Sequence, residues 1–402
     1  MSLDKINAMS KDDIIAKAAG LLEFGNDRTA VVDKWAKVAE EREFQPNPIA
    51  AVAALNNADL NKALLALIKA EPEKVLQGLC IAAKAVEADV KILCLPKEEE
   101  ALAKELADLA AQYEVQIEMG MVNVRSTRGG AYHHFQTLIA LAQIMDGAYE
   151  AGTYVAVCKD GKTSEPKKIP YGTKVADIIG DTAEVFAVAI GNKLYNEEAL
   201  EMVIEEATNV GNGVITVYSD KCCMVNEAAT IEESYRKASC GKCTFCREGL
   251  IQISAMLKDI TEGRGEKSHT SIVQEIGEAM SFSTQCSLGE TAAEFALDSI
   301  KNFGSEYNDH IKKKKCRANV CSAFSSIYID PNDCIGCGDC MDECPKEAIE
   351  GKSGYIHMID EYECDKCGKC IAVCEEEAII ITTGRVPKLP TRLVKVGKFK
   401  KH

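Results

Sequence analysis

Apolar positions recur at helical spacing over residues 1–75. In "SKDDIIAKAAGLLEF", Ser10 stands as an N-cap before an acidic first turn, and the apolar positions behind it fall on one face. "NNADLNKALLALIKAEPEKVLQGLCIAAKAVEA" carries the same period onward, broken near Pro72. The pattern then shortens: "DVKILCL" (89–95), the helical "EEEALAKELADLAAQ" and "EVQIE" (114–118) predict one β-α-β unit. "STRGGAYHH" (126–134) reads as a loop, with His133 and His134 as partly buried loop histidines, and "FQTLIALAQIM" as a buried helix. From Thr153 the alternation becomes that of short strands, in "TYVAVCKDG", "SEPKKIPYGTKVADIIG", "EVFAVAIG" and "GVITVYS". Helical spacing returns from about Val225 to His310 and ends in the basic "HIKKKKCRANVC". Beyond it the chain repeats a cysteine-rich unit with a period of about 30 residues.

These segments predict a multidomain α+β chain. Its expected parts are an N-terminal helical region (1–75), a reduced α/β core (76–150), a β-rich module (151–217), a helical region (218–312), a linker (313–328), a duplicated cysteine module (329–380) and a basic tail (381–402).

Composition changes this picture in one respect: the 402 residues include 19 cysteines. No leader-like n- and h-region opens the chain, and no apolar run is long enough to span a bilayer, so a cytoplasmic protein without a membrane span is expected. In that compartment, tight C-x2-C clustering points to metal ligands rather than disulfides. A net charge of −15 argues against a nucleic-acid partner. The charge is uneven: residues 331–380 hold 13 acidic and 4 basic side chains, whereas 381–402 hold 7 Lys or Arg and no acid. Such a tail is either a solvated terminus or a strap on an acidic surface.

The strongest chemistry lies in "CIGCGDCMDECP" and "CDKCGKCIAVCE", each C-x2-C-x2-C-x3-C. This is the bacterial two-cluster ferredoxin spacing, in which the fourth cysteine of each run ligates the other cluster. One [4Fe–4S] cluster is therefore expected on Cys334, Cys337, Cys340 and Cys374, the second on Cys344, Cys364, Cys367 and Cys370. Glu375 stands where the first copy has Pro345, outside the ligands. A third triplet, Cys240, Cys243 and Cys246 in "SCGKCTFCREGL", lacks its fourth ligand locally. Cys80, Cys94 and Cys158 sit in helix or strand patterns and read as core, while Cys286 ends a helical stretch in the Ser/Gly turn "STQCSLGE". Cys286 is the expected fourth ligand. Cys222 and Cys223 read as a structural pair at a strand end, and the pair Cys316 and Cys321 is too short a ligand set for a cluster.

"SCGKCTFCREG" followed by "TQCSLG" resembles the cluster site of the NADH-binding flavoprotein subunit of respiratory complex I and of related subunits in electron-bifurcating hydrogenases and NAD-linked formate dehydrogenases. "CMV" (223–225), "YVAVCKDG…IPYGTKVADII" and "QTLIALAQIM" extend the resemblance from about Phe135 onward, and Phe245 replaces a proline usual in that family. The resemblance implies a β-grasp (SLBB-like) module, a four-helix [4Fe–4S] domain and a C-terminal 2[4Fe–4S] ferredoxin domain behind a degenerate flavin domain. It also implies a zinc site near Cys316 and Cys321 completed by histidine, with His310 and His357 the histidines nearby in sequence. Two free thiols or, less readily, a disulfide remain the alternatives.

The glycine-rich elements with which that family holds FMN and NADH are missing from residues 1–150. The nearest fragment, with Arg128, Gly129 and Gly130, reads as a worn phosphate cradle or a plain turn. The expected function is an electron-transfer subunit relaying through three [4Fe–4S] clusters, with FMN lost, inside a larger complex of an anaerobic metabolism. Its expected partners are a flavin- or NAD(P)H-handling subunit, a thioredoxin-like [2Fe–2S] subunit, a catalytic oxidoreductase, or a soluble ferredoxin. The alternatives are an NAD(P)H dehydrogenase subunit with a divergent flavin site and a metal-stapled scaffold.

Overall fold

The computed structural model describes residues 1–44, 48–383 and 386–399, so 384, 385 and 400–402 of the basic tail lie outside the described residues. The chain divides into two compact units. One comprises Met1–Asp220, Glu227–Met256 and Thr270–Gly304; the other comprises Lys221–Asn226, Leu257–His269 and the chain from Ser305 onward. Among the described residues no helix is long and apolar enough to cross a membrane.

The first unit opens with α1 (Leu3–Asn7), α2 (Lys11–Ala18) and α3 (Val31–Arg42), with Ser10 Oγ accepting from the Asp13 N–H as the cap of α2. A four-stranded parallel sheet follows, made of β1 (Ala50–Ala54), β2 (Val90–Leu95), β3 (Gln116–Met119) and β4 (Gly130–His134) in the order β3-β2-β1-β4. Helices α4 (Leu65–Ala70) and α5 (Pro72–Ala85) connect β1 to β2, α6 (Glu100–Gln112) connects β2 to β3, and α7 (Phe135–Asp146) follows β4. Two strands depart from the sequence reading. "AAVAA" lies within a stretch read as helical, because alanine favours helix wherever packing does not decide. Here its small side chains suit a central strand buried along almost its whole length between β2 and β4. "GAYHH", read as loop, is β4, in register with β1 from Ala50↔Gly130 to Ala54↔His134.

Residues 153–219 form a mixed sheet. Strands β5 (Thr153–Lys159), β6 (Lys162–Thr163), β7 (Lys167–Ile169), β9 (Val185–Ile190), β10 (Lys193–Asn196) and β12 (Val214–Ser219) pair in the order β10-β9-β12-β5-β6, with β7 on β5. β12 runs parallel to β5 and antiparallel to β9. A ribbon of β8 (Thr173–Lys174) and β11 (Val203–Ile204), with the short α8 (Val175–Ile179), closes its core over Val155, Val188 and Ile215. Five helices come next: α9 (Met224–Ala238), α10 (Thr244–Thr261), α11 (Lys267–Ser283), α12 (Ser287–Ala292) and α13 (Glu294–Asn308).

In the second unit the cysteine module is built from two antiparallel ribbons, β13 (Ser326–Ile329) on β16 (Ile379–Thr382) and β14 (Ile349–Glu350) on β15 (Met358–Ile359), with one-turn helices α14 (Asp339–Asp342) and α15 (Lys369–Ala372). Ile329 pairs Ile379 and Ile359 pairs Ile349, so the two ribbons repeat one register, Ile329 answering to Ile359 and Ile379 to Ile349. The tail straps this module: the Ile356 N–H donates to Val394 O at 2.9 Å, the Val396 N–H donates to Gly354 O at 3.1 Å, and Val394, Val396 and Phe399 pack on its core.

At the carboxyl ends of β1 and β4 lies a buried ionic network. Lys34, 2% exposed at its side chain, contacts Glu23 at 3.0 Å and Asp27 at 3.1 Å and donates to the carbonyls of Val124 and Tyr132. The Trp35 indole N–H donates to His133 Nε2 at 3.0 Å, which leaves His133 Nδ1 to donate to Glu23 Oε2 at 2.6 Å. Burial pushes the Glu23 carboxyl up, but Lys34 and His133 outweigh it and hold it well below the usual carboxylate range. A group lowered in this way stabilises the fold above its unfolded value of about 4.3 and loses that contribution as pH falls toward its folded value. Lys34→Met takes the lysine from two buried carboxylates, and we expect it to cost about 3–5 kcal/mol at neutral pH. The loss should shrink as pH falls through the carboxylate range, which denaturant unfolding at several pH values would measure.

Candidate functional site

The loop between α9 and α10 turns at Gly241 and carries Cys240 and Cys243 up to the start of α10, whose first turn holds Cys246. Arg247 Nη1 donates to Gly241 O at 2.9 Å and ties the loop to the helix. Cys286 arrives from a different segment, at the start of α12. That start is held by Asn123, whose Oδ1 accepts from Ser287 Oγ at 2.7 Å, and by an ion pair of Arg125 with Glu290. Cys240, Cys243, Cys246 and Cys286 all line one cavity of about 590 Å³. Its other walls include Leu60, Met121, Lys62, Lys237 and Lys242, and among the described residues no acidic one lines it. Burial pushes the Cys246 thiol up to about 11, so a thiolate there calls for cationic company. Four thiols facing one space among lysines suit a thiolate-bound cubane, whose net charge is negative.

In the cysteine module Cys334, Cys337 and Cys340 line a second cavity with Cys374, contributed by the other half of the repeat. Burial, with the neighbouring Cys334 and Cys337 thiols adding, pushes Cys340 up to about 12. The Cys370 thiol is likewise raised by burial and by Cys364, Cys344 and Cys367 near it. Each neighbourhood thus holds three cysteines of one run and the last of the other, the crossed arrangement that a pair of cubanes requires. His357 also lines the second cavity; it is 1% exposed, and its Nδ1 lies 3.7 Å from Cys334 Sγ.

That placement corrects the ligand set expected around Cys316 and Cys321. The structure gathers Cys223, His310, Cys316 and Cys321, all buried, with their donor atoms within 4.8 Å of one another. His357 is held beside Cys334 instead, and Cys223, read from the sequence as half of a structural pair, supplies the fourth donor. His310 sits in a π-helical turn, Asp309–Lys313, of the kind often found at functional sites. His310 Nδ1 donates to the Glu306 carbonyl at 2.8 Å, which points the Nε2 lone pair at Cys223 Sγ (3.4 Å) and Cys321 Sγ (3.3 Å). Cys321 and Cys223 sulfurs are 3.9 Å apart. A tetrahedral zinc, with bonds of about 2.3 Å to sulfur and about 2.0 Å to nitrogen, spaces its donors by about 3.5–3.8 Å. Glu306 braces the site by accepting from the Met224 N–H at 3.0 Å and pairing with Arg317 at 2.8 Å, and Arg317 also donates to Cys222 O. Hydrogen bonds from Cys223 and Cys321 hold the Cys316 thiol down, and the bond to Cys316 pushes Cys223 up. Three crowded thiols share charge in this way until a dication allows all of them to ionise.

Arg128, Gly129 and Gly130 stand at the amino end of β4. Ligand crevices of parallel sheets open at the carboxyl ends. A Cβ at Gly130 would lie 2.0 Å from Ala50 O, so this glycine serves the close approach of β4 to β1. The carboxyl ends of β1 and β4 carry the network around Glu23. There Asn56, just after β1, donates to Gly25 O, and the Glu23 carboxylate accepts from the His134 N–H and Thr137 Oγ1.

Residues 226–310 match the family model of the NADH-ubiquinone oxidoreductase-F iron–sulfur binding region, and residues 326–375 match a 4Fe–4S dicluster domain. The chain is 36% identical over 148 residues to the NADP-reducing hydrogenase subunit HndC of Solidesulfovibrio fructosivorans, covering 37% of this chain and 30% of that one. It is 33% identical over 107 residues to the F subunit of the NADH-quinone oxidoreductase of Streptomyces coelicolor, covering 27% and 24%. The match therefore spans under a third of either relative. A chain in the crystal structure of an NAD+-reducing [NiFe]-hydrogenase in the H2-reduced state shares the fold, with TM-score 0.61, 20% identity, and coverage of 78% of this chain and 65% of that one. The two matched regions contain Cys240, Cys243, Cys246 and Cys286 in the first and all eight cysteines of the repeat in the second, and through them the chain carries iron–sulfur binding regions related to those of the F subunits of NADH-quinone oxidoreductases and of the hydrogenase subunit HndC.

Proposed function

We propose that the chain is an electron-relay subunit of a larger cytoplasmic oxidoreductase complex. It would hold three [4Fe–4S] clusters and a structural zinc, and no flavin. The observation that carries this reading is the sorting of twelve cysteines, from separate stretches of chain, into three neighbourhoods of four thiols. Cys240, Cys243, Cys246 and Cys286 would hold the first cluster. Cys334, Cys337, Cys340 and Cys374 would hold the second, and Cys344, Cys364, Cys367 and Cys370 the third. Bound there, the clusters supply outer-sphere electron transfer, and the chain's part is to set potentials through burial, hydrogen bonds to sulfur and local charge.

Cys223, His310, Cys316 and Cys321 fit a closed structural zinc site, redox-silent and worth folding energy. Residues 151–217 fit the β-grasp (SLBB-like) module and 218–312 the four-helix cluster domain that the resemblance implies. Loss of the FMN site is supported by the network of Glu23, Lys34 and His133, which fills the carboxyl ends of β1 and β4 with the chain's own side chains. A relay without a catalytic centre needs a flavin- or NAD(P)H-handling subunit and a catalytic oxidoreductase beside it. A thioredoxin-like [2Fe–2S] subunit or a soluble ferredoxin would extend the same path.

One observation favours the second reading, an NAD(P)H dehydrogenase subunit with a divergent flavin site. The cavity of about 590 Å³ at Cys240 falls in the range of small-molecule sites, about 300–1,000 Å³. Metal and flavin analysis of the anaerobically purified chain separates the two. The relay predicts about twelve irons, one zinc and no flavin, with absorbance bleached by dithionite and unchanged by NADH or NADPH. Stoichiometric FMN with bleaching by NADH would establish the second reading instead.

A further inference from the structure

The two halves of the cysteine module are alike in spacing and register, and among the positions buried in both halves one differs in residue. The pair Ile329↔Ile379 in one ribbon answers to Ile359↔Ile349 in the other. The offset that carries Ile329 onto Ile359 also carries Cys334 onto Cys364 and Ile327 onto His357. Both of the last two are buried, His357 at 1% and Ile327 at 4% exposure. One half therefore presents an imidazole where the other presents a hydrocarbon.

The imidazole is aimed. His357 lines the cavity of Cys334, Cys337, Cys340 and Cys374, with its Nδ1 3.7 Å from Cys334 Sγ. Its ring lies on Gly351, where a Cβ would come within 1.9 Å of Cδ2, so the ring is pinned from behind. The strap at Val394 and Val396 holds the adjoining backbone of Gly354 and Ile356. Nε2 is buried and has no hydrogen-bond partner. A ligand thiolate can only accept, so the side facing Cys334 must be the N–H, and the unpartnered side the bare nitrogen.

We propose that His357 is a positioning donor to Cys334 Sγ that raises the potential of the cluster on Cys334, Cys337, Cys340 and Cys374 above that of its pseudo-symmetric partner. The inference rests on the relay reading. Reduction adds negative charge that spreads onto the ligand sulfurs, and an N–H dipole pointed at one of them stabilises the reduced form. Ile327 offers the other cluster no such donor. The electron then rests on the Cys334 side of the pair, which gives a symmetric module a direction.

The test is an EPR-monitored redox titration of the full chain. His357→Phe keeps a ring and removes the donor, and should move one ferredoxin midpoint downward while the other and the Cys240 cluster stay in place. Ile327→His should move the other midpoint upward, and it answers the question alone if His357→Phe fails to assemble. Unchanged midpoints in a fully loaded His357→Phe protein, or in Ile327→His should that be the only variant to assemble, overturn the inference and leave the relay standing. A wild-type chain without the two ferredoxin signals would instead overturn the relay reading itself.

Discussion

Cys223→Ser is expected to abolish zinc retention and to lower the unfolding temperature sharply. Zinc at sites of this type contributes an apparent binding free energy of about 10–16 kcal/mol at neutral pH, and it appears as folding free energy. Removing one of four donors forfeits much of that, and it leaves His310, Cys316 and Cys321 buried with unmet polarity. The neighbouring Cys222→Ser makes the control, because Cys222 is not among the four gathered donors and its backbone carbonyl, which accepts from Arg317, survives the change. Zinc content by mass spectrometry and thermal unfolding should separate the two variants. Equal zinc and equal unfolding temperatures would remove the zinc assignment. Acidification should release the metal as well, since it binds a neutral His310 imidazole and three cysteine thiolates, and protons compete for those donor atoms.

Cys223 also marks the limit of what the sequence discloses. The repeat 334–374 is legible because a cubane's ligands lie close together in the chain, so spacing alone groups them. Only the crossed assignment of Cys344 and Cys374 reaches across the repeat. The site at Cys223 is assembled by tertiary folding: 87 residues separate Cys223 from His310. A C-x4-C pair says that partners are needed and does not say which. His357 was as near in sequence to that pair as many ligands are, yet the β14–β15 ribbon carries it to Cys334.

The parallel sheet was half legible for a similar reason. β2, α6 and β3 announce themselves as a strand–helix–strand pattern, whereas β1 is five small residues buried almost throughout, where no strand period leaves a mark. Without β1, its partner β4 reads as a loop, and His133 and His134 as loop histidines. In place they are fully buried and belong to the ionic network.

Cys286→Ser carries the second large effect, the loss of one cluster in three. The alternatives for a fourth ligand are now placed. Cys80 and Cys94 are buried in the α/β core, each pushed up to about 11 by burial, and Cys158 lies on β5. None of them lines the cavity of Cys240, Cys243 and Cys246, and Cys286 does. Its position depends on the anchor of α12 to Asn123 and Arg125 rather than on the cysteine loop, so serine at this point should leave the loop and the fold intact while weakening one iron–ligand bond. We expect iron to fall by about four atoms of twelve, or that cluster's EPR signal to shift, with both ferredoxin signals and the zinc unchanged. Asn123→Ala, which loosens the anchor and keeps the thiol, should produce a milder form of the same loss. Cys286→Ser protein with a full iron complement and unaltered spectra would mean that the fourth ligand comes from elsewhere. The likeness of 226–310 to the oxidoreductase-F iron–sulfur region would then extend to the fold of this site and not to its coordination.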